Sequence, residues 1–313
     1  MAQHRFVVIG GNNVDINATA ATALVYGDSN PGSIHTGLGG VGRNIAENLT
    51  RLGQQVSLIT VFGDDEFSNL ATEQAARIGM DLSHAIRVEH AASCVYVCIN
   101  EPSGEMSVAV NDMALCDRIT PAYLESKLAV LNAADAIIVD ANIPEESIDF
   151  IVQHCTPPVI ADAVAAKKAA RLHKSLPHLA GLKANQIEIE LLTGVNVPHE
   201  YDLQTAARAL HQTGVDYVLI TLGGRGAFIS EGGQQLFERP IPQRVINTTG
   251  CGDAFTAAAT LAMVEKRPVR EVLRMGLAGA AICAMSKHAV SDQMSYELLA
   301  DTLRMAQKQE ANP

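Results

Sequence analysis

Cysteine, long apolar runs and positive charge are all scarce in this chain, and each shortage excludes a class of protein. The six cysteines among 313 residues (Cys94, Cys98, Cys116, Cys155, Cys251 and Cys283) contain no C-x-x-C pair. That spacing argues against a disulfide framework and a thiolate metal site and leaves the thiols as small buried hydrophobes. The longest uncharged apolar runs, Ala254 to Val264 and Gly276 to Ser286, are 11 residues each. A bilayer span needs roughly 18 to 20. Lys and Arg number 23 against 34 Asp and Glu, a net charge of −11 with no basic run. A nucleic-acid backbone would be repelled, so no nucleic-acid polymer and no membrane are expected as partners. The start, Met1 to Arg5 followed only by Phe6 to Ile9 before Gly10, lacks a signal-peptide apolar region, so the expected location is the cytoplasm.

Several catalytic signatures are missing too. There is no G-x-x-x-x-G-K-[ST] loop, no H-R-D or D-F-G set and no H-E-x-x-H among the ten histidines. These absences remove the P-loop, protein-kinase and zinc-protease solutions. The first strand ends in Gly10-Gly11-Asn12-Asn13-Val14-Asp15 rather than G-x-G-x-x-G, so a dinucleotide-binding dehydrogenase is not expected.

What the chain does have is a 48% hydrophobic, 18% charged composition that folds, at a length that α/β proteins often use as one domain. Strand and helix patterns alternate. Strands are expected at Arg5 to Gly11, Gln55 to Phe62, Asp135 to Asp140, Val159 to Asp162 and Tyr217 to Leu222. Helices are expected at Arg43 to Leu52, Phe67 to Ile78, Pro121 to Asn132, Glu145 to His154 and Leu203 to Gln212, with two alanine-rich helices from near Gly252 and Arg270 closing the chain. Such alternation predicts a mostly parallel sheet with helices on both faces. Val14 to Leu38 and the alternating segments Ser93 to Asn100 and Glu105 to Asn111 interrupt it and read as a small inserted β-sheet placed to act as a lid.

Four segments carry chemistry. Gly39-Gly40-Val41-Gly42-Arg43-Asn44 runs into a helix, where glycines admit a ligand to the backbone and Asn44 can donate to and accept from hydroxyls; a plain tight turn would look the same. Asn247-Thr248-Thr249-Gly250-Cys251-Gly252-Asp253 opens another helix. Its successive N–H groups suit an anion, and Asp253 is placed to take a hydroxyl proton or merely to favour the helix dipole, which would keep it ionised at neutral pH. Asn185 and Glu188, three apart at a helix start, can orient magnesium through its waters or be an exposed polar pair. Thr221 to Phe228 is a strand end with a glycine turn, either a ligand site or a hairpin.

In this order the motifs resemble the PfkB or ribokinase-like family of carbohydrate and nucleoside kinases, over nearly the whole chain. The resemblance implies a three-layer α/β fold with a mostly parallel central sheet flanked by helices, residues 1–313 as one kinase domain, and a β-lid of about 14–38 and 92–113. It implies ATP and Mg2+ as cofactors, with K+ as an activator. Asp15, Gly40 and Asn44 would hold ribose hydroxyls, Asp253 would be the base for a 5′-hydroxyl, and Gly250, Cys251 and Gly252 would form the anion hole. Asn185 with Glu188 would orient magnesium through water, Thr221, Gly223 and Gly226 would bind the nucleotide, and Asn247 with Thr249 would hold the monovalent cation. Within the family, Gly10 to Asp15, Asp28 to Gly32, Gly39 to Asn44 and Val110 to Met113 are most similar to members that phosphorylate pseudouridine. Asn30, Asn111 and Asp112 are the lid candidates for reading the base. Another nucleoside, a free sugar such as ribose or fructose, or a non-catalytic ligand sensor are the alternatives. Two departures stand out: Cys251 occupies a place usually held by Ala, Gly or Ser, and Asp162-Ala163-Val164-Ala165 replaces Asp-Pro-Val-Ser. Lys168 matches a family lysine that could lie near phosphate or at the surface. Lid strands have edges to protect, so a homodimer through the lids is expected.

Overall fold

The computed structural model describes residues 2–311. The chain begins with β1 (Arg5–Ile9), the hairpin β2 (Asn13–Ala20) and β3 (Gly32–Gly39), α1 (Val41–Arg51), β4 (Gln55–Ile59), β5 (Val61–Phe62) and α2 (Glu66–Ile78). There follow β6 (Ile86–Arg87), β7 (Val95–Asn100), β8 (Met106–Asp112), α3 (Pro121–Glu125), α4 (Leu128–Leu131), β9 (Ala136–Asp140), α5 (Glu145–His154), β10 (Val159–Asp162) and α6 (Ala166–Ala169). The rest comprises β11 (Gly181–Asn185), α7 (Gln186–Thr193), α8 (Glu200–Thr213), β12 (Tyr217–Thr221), β13 (Ala227–Glu231), β14 (Gln234–Glu238), α9 (Cys251–Val264), α10 (Val269–Ala284) and α11 (Tyr296–Ala311).

Eight strands form the main sheet in the order β14-β13-β12-β11-β10-β9-β1-β4, parallel from β12 to β4 and antiparallel at β13 and β14. Its central strands are buried on both faces, which is why they read as continuous apolar runs. Successive residues feed opposite cores: Val7, Ile9, Ile137 and Val139 pack with α5, α7 and α8, while Phe6, Val8, Ala136 and Ile138 pack with α1, α9 and α10. Period-two side-chain direction thus builds the three layers. Among the described residues no helix is long and apolar enough to cross a membrane.

The second sheet, β3-β2-β7-β8, has two unlike faces. Register sets Asp15 beside Tyr96 and Tyr96 beside Asn111 on one face, and Ile16, Val97 and Val110 in a row on the other. Alternation polar-in, apolar-out is the reverse of an ordinary surface sheet.

Some expected elements differ. The strand expected at Gln55 to Phe62 breaks at Thr60, whose hydroxyl donates to the Gly10 carbonyl at 2.7 Å. The helix expected at Pro121 to Asn132 is two short ones, because the Ser126 hydroxyl binds the Tyr123 carbonyl (2.6 Å) and competes with the helix ladder. A third helix, α11, follows the two alanine-rich ones.

One buried carboxylate fastens the sheet to the glycine loops. Asp140, at the end of β9, accepts from Gly11 N (2.8 Å), Gly42 N (2.7 Å), Asn142 N (2.9 Å) and Asn142 Nδ2 (2.9 Å). Burial pushes its pKa up, and those four donors act in the opposite direction. Asp140→Asn, which turns an acceptor into a donor facing N–H groups, is expected to cost roughly 1–3 kcal/mol in urea unfolding.

Candidate active site

The C-terminal ends of the parallel strands meet the second sheet around a cavity of about 1070 Å³, whose lining includes Asp15, Gly40, Asn44, Asn111, Gly250 and Asp253. Two helix starts converge there. Gly40 precedes α1 at φ 99°, with the Gly11–Asn12 backbone where a side chain would sit, and Gly250 precedes α9 at φ 81° against the Ala289 carbonyl. Positive φ and close approach of the protein's own backbone both demand glycine at these two turns.

Asn44 Nδ2 donates to Asp253 Oδ2 at 2.8 Å. The amide is oriented from behind: Arg43 Nη1 donates to Asn44 Oδ1 at 3.0 Å, and buried Glu47 holds both Arg43 and, at 2.8 Å, Arg51 Nε. Asp15 Oδ1 accepts from Asn13 Nδ2 at 2.6 Å, and burial pushes its carboxyl above the usual range. Neither Arg43 nor Glu47 was marked as functional by sequence reasoning, although their i,i+4 spacing on α1 was the available signal.

Behind Asp253 lies a second charged group. Lys183 Nζ pairs with Asp162 Oδ2 at 3.1 Å, the Thr256 hydroxyl donates to the same oxygen at 2.9 Å, and the Lys183 ammonium lies where a Gly252 side chain would go. Burial works against the Lys183 charge, but Asp162, Glu188 and Asp253 together hold it above its ordinary pKa. Burial first, and then Asp162, push the Asp253 carboxyl from 3.8 up to about 7, against the pull of Lys183 and Asn44. That rise is worth about 4 kcal/mol, whereas a helix dipole supplies about 2 kcal/mol at most. Burial and the neighbouring Asp162 carboxylate thus oppose the ionised state expected from the dipole alone and hold the Asp253 carboxyl well above the usual aspartate range.

The other expected residues divide. Gly250 and Asp253 line the cavity; Cys251 and Gly252 lie in the same turn, but Cys251 N donates to the Thr248 carbonyl at 3.3 Å, leaving the Gly252 and Asp253 N–H groups at the helix start. Asn30 is not brought to the cavity: its amide closes its own turn on Val25 and Asp28. Asp112 likewise serves the Ala114 N–H at 3.2 Å. Asn185 and Glu188 form a reciprocal capping box, with Glu188 Oε2 on Asn185 N and Oε1 on Asn185 Nδ2, both 2.7 Å. Glu188 is buried, so the pair is not exposed, and each oxygen keeps a lone pair for a metal-bound water. Among the described residues no group of three His, Cys, Asp or Glu could hold a metal ion directly. Asn185 pairs in register with Thr221, and Gly223 to Arg225 forms a tight turn into antiparallel β13, so the hairpin is present, while Asn185, Thr221, Gly223 and Gly226 lie outside the cavity lining.

Asn247 and Thr249, expected to hold the monovalent cation, both line the cavity. Asn247 Oδ1 accepts from Thr249 N (3.0 Å), its Nδ2 donates to the Lys287 carbonyl (3.3 Å), and the Cys283 thiol faces the Thr249 and Ala289 carbonyls (3.5 and 3.2 Å). Each of these oxygens has one donor and keeps a second lone pair.

Residues 3–295 match the pfkB family carbohydrate kinase pattern, and the chain belongs to that family. It is a phosphotransferase with an alcohol acceptor. It is 34% identical over 270 residues to the pseudouridine kinase of Escherichia coli, covering 86% of each chain, and 32% identical over 286 residues to an uncharacterized sugar kinase of the same organism, covering 91% and 79%. In fold it is similar to Arabidopsis thaliana ribokinase complexed with ribose and ATP, with TM-score 0.86, 24% identity and 97% and 99% coverage.

The pH profile of kcat/KM is expected to rise with pH through an apparent pKa near 7, since the proton-accepting form of Asp253 gains population there. Asn44→Leu removes a bond that lowers that pKa, so its limb moves to higher pH.

Proposed function

We propose that this kinase transfers the γ-phosphoryl group of ATP to the 5′-hydroxyl of pseudouridine, giving pseudouridine 5′-phosphate and ADP. The observation that carries the chemistry is the buried Asp253 carboxyl at the start of α9, hydrogen-bonded to Asn44 of the facing helix. The similarity to the Escherichia coli pseudouridine kinase supports the acceptor.

In this reading Asp15, Gly40 and Asn44 hold the ribose hydroxyls, and Asp253 orients O5′ and accepts its proton as the new P–O bond forms. The Gly252 and Asp253 N–H groups, at the positive end of α9, face charge developing on the transferred group. Asn185, Thr221, Gly223 and Gly226 hold the nucleotide beside the ends of β11 and β12. Asn185 and Glu188 would hold magnesium through its waters, and the bound ion supplies charge neutralisation for the triphosphate. No step is routed through Asn247 and Thr249.

The second sheet acts as a lid, with its polar face over the acceptor and its closure excluding water that would otherwise take the phosphoryl group. Its outer face is apolar and open, with Ile34 69% and Val110 68% exposed. A contiguous apolar sheet face of this kind needs a partner, and a second lid supplies one. In this reading the enzyme works as a homodimer through its lids. A second acceptor is favoured by one comparison: a Haemophilus influenzae ribokinase is 27% identical, so free ribose is the rival substrate.

ADP release measured with pseudouridine, uridine, adenosine, ribose and fructose tests the acceptor. The expected kcat/KM for pseudouridine exceeds the others by about tenfold or more, and a preference for ribose would remove the nucleoside reading. Asp253→Asn is expected to lose roughly 100-fold or more in kcat while still binding the acceptor. Light scattering should give near twice the 33.2 kDa chain mass, and a monomer would remove the lid interface.

A further inference from the structure

The cavity extends from Asp15, Asn44 and Asp253 to a wall formed by Asn111, Met113, Asn142, Val164 and Lys168. The cation behind the anion loop is Lys183, committed to Asp162. Lys168 belongs to the other end: its ammonium donates to Asn142 Oδ1, and Asn142 Nδ2 donates to Asp140 Oδ2 at 2.9 Å. Asn142 is buried, with only 4% exposed, so both halves of its amide are spent holding the lysine in place. What this wall offers a ligand is an ammonium with two N–H bonds to spare.

The surroundings decide what that ammonium can meet. Asp140 is a buried carboxylate one hydrogen bond away, and the nearby backbone donors, Gly11 N and Gly42 N, already point at it. An anion placed here would face that charge, with Gly11 N and Gly42 N already committed to it. A neutral acceptor such as a ring carbonyl carries no such penalty. Val164 and Met113 add apolar surface, and Val164 is held in the left-handed region at φ 65° with its N–H on Asp162 Oδ1 (3.0 Å). That conformation is strained for a β-branched residue, and it leads the chain into α6, which carries Lys168. Asn111, on the same wall, has an amide that makes no hydrogen bond among the described residues and can both donate and accept.

We infer that Lys168 is a specificity residue: positioned by Asn142 and Asp140, it donates to a ring carbonyl oxygen of an oxo-pyrimidine base on the acceptor nucleoside, with Asn111 facing the same ring. This rests on the nucleoside reading above and replaces the phosphate-side role that family resemblance suggests for this lysine. It also separates carbonyl-bearing pyrimidine nucleosides from adenosine and from free ribose, neither of which presents that acceptor.

Lys168→Met, with Lys168→Gln as a second variant should the first not fold, is assayed on pseudouridine, uridine, adenosine and ribose. For pseudouridine and uridine KM is expected to rise roughly tenfold or more while saturated kcat stays within about twofold, so the ratio of kcat/KM for pseudouridine over ribose falls by about the same tenfold. Equal losses on pseudouridine and ribose, or a fall in kcat with KM unchanged, would place Lys168 at the phosphoryl group and overturn the inference. So would unchanged kinetics on every acceptor. If the wild-type enzyme turns over ribose but no nucleoside, the nucleoside reading falls and this inference with it; if the wild type prefers pseudouridine and the variants lose all acceptors alike, the inference alone falls.

Discussion

The contact between Asn44 and Asp253 joins side chains 209 residues apart, and the other features of the site depend on it. It needs two helices to begin at one point in space, which the parallel sheet arranges by delivering its strand ends to a common edge. Each helix must start without a side chain in the way, which Gly40 and Gly250 provide. The amide must also face the right way. Arg43 fixes that by donating to Asn44 Oδ1, and Glu47 fixes Arg43.

Charge is the second constraint. Asp140, Asp162, Glu188 and Asp253 stand buried at one end of the sheet, and Lys183 is the cation set among the last three. One ammonium cannot hold three carboxylates fully ionised, and Asp253, which has an amide for a direct partner, takes the strain. Asp162 has Lys183 and Thr256, while Asp140 has four N–H donors. The unequal sharing lifts the carboxyl of a common aspartate to about 7, which in the proposed function suits proton acceptance from a hydroxyl.

Much of this was legible in the sequence because local physics wrote it there. Buried parallel strands show as apolar runs, helix starts show as glycines, and Asp15, Gly40, Asn44, Gly250 and Asp253 all reach one cavity. Strand β11 was missed because Gly181-Leu182-Lys183-Ala184-Asn185 hides a buried lysine, which only the distant Asp162 makes tolerable. Asp140 and Asn142 escaped notice for the same reason: their partners are Gly11, Gly42 and Lys168, far along the chain. Asn30 and Asp112 looked like ligand groups, yet short polar side chains in turns bind their own backbone first. The pKa of Asp253 was misjudged because the helix dipole is a local property and burial is not.

The ionisation of that one carboxyl is what the site's chemistry depends on most directly. A carbon-13 titration of labelled aspartate, with Asp253 assigned by difference from Asp253→Asn, should show its carboxyl inflecting near pH 7 in the free enzyme. An inflection in the ordinary aspartate range, near about 4, would contradict the picture of a desolvated base poised by its neighbours.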